Sequence, residues 1–213
     1  MLYSLSEKIY FPPVESASAE GILALGGDLS PQRLVLAYKS GIFPWFNDGE
    51  PIVWWSPDPR MVVFPDRYKV SKSIRNILNK GRFNVTFNRC FREVITNCSE
   101  VDRSGEPGTW ISKEMIEAYC KLHELGYAKS VEVWQEEKLV GGLYGVDLGH
   151  LFCGESMFSK VSNASKVAFV TLIEKLRNEQ YKLLDCQVYN EHLALLGAQE
   201  IPRAEFIKIV TAE

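Results

Sequence analysis

Apolar and polar positions change their rhythm near residue 60 of this 213-residue chain. Before it, apolar residues come in short clusters broken by Pro and Gly: FPP, LGGDLSP, GIFPWF and PIVWWSPDP. LSPQRLVLAYKSG has a helical signature, with Ser30 to cap, Pro31 at the first helical position and Gly41 to stop it. The rest of that stretch reads as loops and short strands. Beyond residue 60 the pattern is regular. MVVFP predicts a strand, VSKSIRNILNK a short basic amphipathic helix, RFNVTFN an alternating strand and CFREVITNC a helix. SKEMIEAYCKLHELG predicts a helix that Ser112 opens and Gly126 stops, with Met115, Ile116, Tyr119 and Leu122 on one face. AKSVEVWQ, KLVGGLYGVD and HLFCGESMF predict three successive strands, turned at Glu136-Glu137 and Leu148-Gly149. ASKVAFVTLIEKLRNEQ, capped by Asn163, is apolar nearly all round and predicts a buried helix. YKLLDCQV predicts a strand, and EHLALLG and PRAEFIKIV two closing helices.

Helices, an antiparallel meander, a buried helix, a strand and a helix imply an α+β or mixed α/β fold. The change of rhythm implies a small N-terminal domain, residues 1–60, that leans on a larger one, residues 61–213. Composition is ordinary for a globular protein, 46% hydrophobic and 24% charged. No apolar run approaches the roughly 20 residues that span a bilayer. The start, MLYSLSEKIYFPP, lacks the basic and apolar regions of a secretory signal, so the expected address is the cytoplasm. Five cysteines with no CxxC pair argue against a zinc site or a disulfide framework, and no metal is expected.

The net charge of −3 argues against a nucleic-acid partner, but its distribution argues the other way. Residues 60–92 carry nine basic groups, Arg75, Lys80 and Arg82 among them, against the single acid Asp66. Such a stripe suits phosphate contact, although a solvated face would look the same. Ser165 and Lys166, at a helix start, form a weaker phosphate candidate.

Candidate chemistry lies on two strands. Asp185 and Gln187 are two apart and should share a face, with Cys186 opposite. A carboxylate in a central strand is costly to desolvate unless it is paired or at work. In FCGESMF, strict alternation puts Phe152, Gly154, Ser156 and Phe158 on one face and Glu155 on the other, unless a bulge at Gly154 intervenes. Glu155 could meet an amine, sit in a buried ion pair or lie at an edge position. Trp54 and Trp55 read as plugs between the two domains. Trp45 and Trp110 are either plugs or faces for stacking on a base. His123 reads as a helix-surface residue, and His192 as a weak candidate for orienting a reactant.

GILALGGDLSPQRLVLAY, SGIFPWF, WWSPDPRMV, GTWI, LVGGLYGV, FCGESMFS, NASK, DCQV and LGAQEIPR run in order from about residue 20 to 205. In these the chain closely resembles the bacterial leucyl/phenylalanyl-tRNA–protein transferases. The resemblance implies a small N-terminal domain and a GNAT-like acyltransferase domain with a mixed sheet. It implies transfer of Leu or Phe, Met less well, from aminoacyl-tRNA to an N-terminal Arg or Lys of an acceptor protein, which marks that protein for N-degron degradation. No cofactor is implied, because the ester is already activated, and a monomer is expected. Trp45 and Trp110 match the pair that holds the terminal adenosine. Leu143, Phe152, Gly154, Phe169, Leu172 and Leu184 match the pocket for the amino-acid side chain, with Glu155 beside it. Asp185 and Gln187 match the catalytic pair, with Tyr38 and Asn190 as neighbours. Phe169 and Leu172 exchange the residue types of the family pattern, which keeps the pocket's volume but alters its shape.

Two other classes stand beside this one. An N-acetyltransferase would need a Gly-rich pyrophosphate loop before the buried helix, where SKVSNASK has no glycine. A non-catalytic tRNA-binding module would bind tRNA without transferring its amino acid.

Overall fold

The computed structural model describes residues 2–101 and 110–212, so Gly108 and Thr109 of GTWI lie outside the described residues. The first part of the chain forms β1 (Tyr3–Leu5), β2 (Ile22–Gly26), α1 (Pro31–Lys39), β3 (Phe43–Pro44) and β4 (Val53–Trp55), with its strands in the order β1-β2-β4-β3. The rest forms β5 (Arg60–Val63), α2 (Lys72–Asn79), β6 (Asn84–Phe87), α3 (Phe91–Ser99), α4 (Lys113–Glu124), β7 (Ala128–Gln135), β8 (Lys138–Asp147), β9 (Leu151–Ser159), α5 (Ala164–Asn178), β10 (Leu183–Gln187), α6 (Glu191–Leu195), β11 (Gln199–Ile201) and α7 (Arg203–Val210). Its seven-stranded sheet runs β11-β5-β10-β9-β8-β7-β6. β9 and β10 are parallel and the other described pairs of this sheet antiparallel, so the sheet is mixed and the class is α+β.

Apolar stripes settle the layers. α5 buries Val167, Phe169, Val170, Leu172, Ile173 and Leu176 against one face of the sheet. α3 and α4 pack on the other face in a cluster that runs on through Leu34 of α1 and Leu23, Phe43 and Trp54 of the small sheet. The two sheets thus share one core. Trp54 is fully buried there and donates its indole N–H to Gly26 O at 2.8 Å. Trp55 is only partly buried and packs on Trp45.

Helix starts follow the sequence in α1 and α4. Ser30 and Ser112 accept the N–H groups of Arg33 and Met115, and Gly41 ends α1 at φ 74°. α5 departs from expectation. Asn163 takes a left-handed conformation (φ 73°) and makes no side-chain cap, while Ser159 Oγ accepts the Ser165 N–H instead. His123 is also not a plain surface residue: it stacks on Phe91 and hydrogen-bonds Ala128 O.

Bulges break simple alternation on the two chemistry-bearing strands. Tyr144 pairs with Ser156 and Gly145 with Gly154, which leaves Glu155 as the extra residue of β9. Phe152 therefore packs in the α5-side cluster and Phe158 in the opposite one, not on one face. In β10 the register with β5 shifts between Asp185 and Gln187, and Gln187 turns left-handed at φ 67°.

Candidate active site

β9 and β10 are paired from Leu183↔Leu151 to Asp185↔Cys153 and part beyond that point. A cavity of about 710 Å³ opens where they separate. A crevice at the carboxyl ends of parallel strands is a common ligand site. Leu143, Gly154, Phe169, Leu172 and Leu184 give it an apolar floor. Trp45 and Trp110 line it as well, with Trp45 41% exposed. Glu155, Gln187, Asn190 and His192 make a polar wall. Gly154 suits this floor, since an added Cβ would lie 3.4 Å from Asp185 O and take up room.

Glu155 is the centre of the polar wall. Its Oε1 accepts Tyr38 OH at 2.8 Å and Gln187 Nε2 at 2.7 Å, and its Oε2 accepts Tyr119 OH at 3.2 Å. The two tyrosine hydroxyls also bond each other. Burial pushes the Glu155 carboxyl up to about 7, the Asp185 charge adds to this, and the three neutral donors only partly counter it. Both tyrosines are raised well above their usual range by burial and by the Glu155 charge, so they act as donors.

Asp185 has a different environment. It is fully buried and receives Arg60 Nε at 2.8 Å on one oxygen and Nη2 at 2.7 Å on the other. Oδ1 also accepts the Gln187 backbone N–H at 2.9 Å. Burial pulls the Arg60 guanidinium down, but the Asp185 charge and hydrogen bonds more than offset this. Arg60 therefore belongs to the interior and not to the basic stripe. Asp185 and Gln187 do send their side chains away from Cys186, which packs on the α5 side, but to different partners. The Cys153 and Cys186 thiols are raised by burial and by Asp185, so neither is a ready thiolate nucleophile.

Of the remaining expected residues, Phe152 lies behind the floor, close against Gly145, and Tyr38 lies behind Glu155. Asn190 lines the cavity and also caps α6 through the Leu193 N–H. Arg75, Lys80 and Arg82 are exposed on and after α2, away from the cavity lining. Ser165 and Lys166 occupy the first turn of α5. Partial burial and the Lys166 charge lower the pKa of His192, which lines the cavity. Elsewhere in the stripe Arg67 pairs with Asp66 and Arg92 with Glu117. Sequence reasoning missed Arg60 and Tyr119 as site partners. A charged residue heading the apolar run RMVV was the available signal for Arg60.

Comparison with known proteins adds an independent line. The family description "Leucyl/phenylalanyl-tRNA protein transferase" matches residues 62–211, and its N-terminal domain matches residues 27–58. The chain is 66% identical over 212 residues to the leucyl/phenylalanyl-tRNA–protein transferase of Flavobacterium johnsoniae, covering 100% of both. It is 61% identical to that of Flavobacterium psychrophilum, covering 98% of this chain and 99% of the relative. Among solved structures it shares a TM-score of 0.45 and 15% identity with L-PGS from Bacillus licheniformis, over 76% of this chain and 54% of that one. With a GCN5-related N-acetyltransferase from Kribbella flavida the TM-score is 0.42 at 9% identity, over 79% and 59%. The chain belongs to the leucyl/phenylalanyl-tRNA–protein transferase family of acyltransferases.

Proposed function

We propose that this enzyme moves Leu or Phe, and Met less well, from aminoacyl-tRNA to the N-terminal Arg or Lys of acceptor proteins, marking them for N-degron degradation. The single observation that carries this reading is the cavity's division into an apolar floor and a Glu155–Gln187 wall. The floor takes an unbranched-β apolar side chain. The wall meets the acceptor's amine. Trp45 and Trp110 stack the terminal adenosine, and Asn190 orients the reactants at the wall.

In the reaction, the acceptor's α-amine attacks the ester carbonyl carbon, a C–N bond forms, and the C–O bond to the tRNA ribose breaks. The amine's proton leaves as the ribose oxygen gains one. Gln187 presents its amide where charge develops, and Glu155 attracts the cationic acceptor. Holding amine and ester together supplies a large share of the rate, up to roughly 7–11 kcal/mol in favourable cases. The ester is already activated, so the chemistry needs no cofactor. Each chain carries the whole set of wall and floor residues, which fits a monomer. The substrate, aminoacyl-tRNA, fits a cytoplasmic address.

Arg75, Lys80 and Arg82 are proposed to meet tRNA phosphates, with Ser165 and Lys166 as a second contact near the cavity. Residues 1–60 and 61–213 are proposed as the two functional parts, one bringing Trp45 and Tyr38 and the other the remaining wall. Transfer of labelled leucine from Leu-tRNA to an Arg-initiated peptide tests the reading. Transfer to Arg but not to a Glu-initiated control is expected. Tight tRNA binding with no transfer would overturn it.

A further inference from the structure

Arg60 does not itself line the cavity, but it holds the lining residue Asp185 and its guanidinium reaches both sides of the polar wall. Nε and Nη2 fork onto the two oxygens of Asp185, at 2.8 and 2.7 Å. Asp185 Oδ1 then holds the Gln187 N–H at 2.9 Å, at a residue whose φ is 67°. A non-glycine residue resists that conformation by roughly 1–2 kcal/mol and keeps it where neighbours impose it. On the other side, Nη1 donates to Gly41 O at 3.2 Å. Gly41 ends α1, whose Tyr38 hydroxyl bonds Glu155. The guanidinium plane is itself clamped, 4.7 Å from the Phe43 ring centre and 4.4 Å from that of Phe206.

The two donors on Glu155 Oε1, Tyr38 OH and Gln187 Nε2, are thus each referred back to one buried cation by a single intermediate contact. We propose that Arg60 is a positioning residue for the transfer reaction: through Asp185 it aims the Gln187 amide, and through Gly41 it sets Tyr38, so that both donors converge on Glu155. Asp185 serves in this arrangement as the acceptor that shapes the Gln187 backbone, with its carboxylate turned to Arg60 and away from the reactants. A planar fork is required, because a lysine ammonium cannot bind both carboxylate oxygens and Gly41 O in one fixed plane.

The inference rests on the transfer reading above, and the wild-type enzyme separates the two. If wild type moves no leucine from tRNA to an Arg-initiated peptide, the reading itself fails. With an active wild type, four variants are compared by steady-state kinetics and denaturation. Arg60→Lys keeps a buried cation and is expected to lower kcat about tenfold or more, with KM for aminoacyl-tRNA within about twofold of wild type. Arg60→Met strands the Asp185 charge and is expected to lose stability. Arg60→Met/Asp185→Leu removes the stranded charge and regains stability without regaining kcat, since Gln187 N–H has lost its acceptor. Arg60→Met/Asp185→Asn restores a neutral acceptor and is expected to recover part of kcat over the Leu variant. Wild-type kcat in Arg60→Lys overturns the proposal, and so does an Asn double variant no faster than the Leu one. Should the double variants fail to fold, Arg60→Lys alone decides it.

Discussion

Asp185 and Glu155 stand on the neighbouring strands β10 and β9, and both carboxylates are enclosed by hydrogen-bond donors. Their donors differ in charge. Asp185 faces the guanidinium of Arg60, so its negative charge is cancelled inside the fold. Glu155 faces two tyrosine hydroxyls and an amide, which hold its oxygens but cancel no charge. The first arrangement is complete without a ligand. The second borders the cavity with no cation among its hydrogen-bond partners, so burial pushes its carboxyl up to about 7 and the neutral donors only partly counter it. In the proposed reaction the two acids divide the work, Asp185 fixing the frame and Glu155 meeting what enters.

The sharpest way to break this division is through stability. Removing Asp185 leaves Arg60 buried without its partner, and Asp185→Ala should cost about 3–5 kcal/mol by urea denaturation. Glu155→Gln strands no charge and should instead change how stability depends on pH. Between the usual 4.5 and about 7 the folded state holds a proton on Glu155 that the unfolded chain has released. Stability from this group therefore falls as pH rises through that window and is level above it, by up to about 3 kcal/mol in all. The glutamine variant should lack that slope. Equal losses from both variants at pH 8 would erase the distinction.

Gln187 links the two acids, through its backbone to Asp185 and its side chain to Glu155. Gln187→Ala should lower the single-turnover rate about 100-fold, with tRNA affinity nearly unchanged. Near-normal chemistry would leave the wall a passive surface. Trp45→Ala and Trp110→Ala touch neither acid and should each raise KM for aminoacyl-tRNA about tenfold while kcat holds. Gly154→Ala adds a methyl between the two strands. It should fold normally and reduce transfer of Phe relative to Leu a few-fold, in a competition assay.

Much of this frame was legible in the sequence. Periodicity located the helices α1 to α5 and the meander because their apolar positions recur at the element's own period, even in α2, where only Ile74 is buried. It failed where the signal is local and irregular. β11, Gln199–Ile201, has one buried apolar residue and no period to read. The bulges at Glu155 and before Gln187 leave no mark on composition, yet they aim both side chains. Most of the floor was carried over residue by residue from the family resemblance, but Phe152 sits a layer too deep to line it. Arg60 illustrates the limit best. Nine basic residues between 60 and 92 form one stripe along the sequence, and the fold takes one of them inside to meet an acid 125 residues away.

Affinity of an Arg-initiated peptide as a function of pH tests the division of labour most directly. Between about pH 5.5 and 7 the peptide keeps both positive charges, while Glu155 passes from neutral to ionised. Calorimetry on wild type should show binding weakening as pH falls through about 7, towards tenfold per unit, and Glu155→Gln should bind weakly with no such slope. A wild-type affinity that stays flat, or a glutamine variant with the same slope, would contradict the assignment of Glu155 as the group that receives the acceptor.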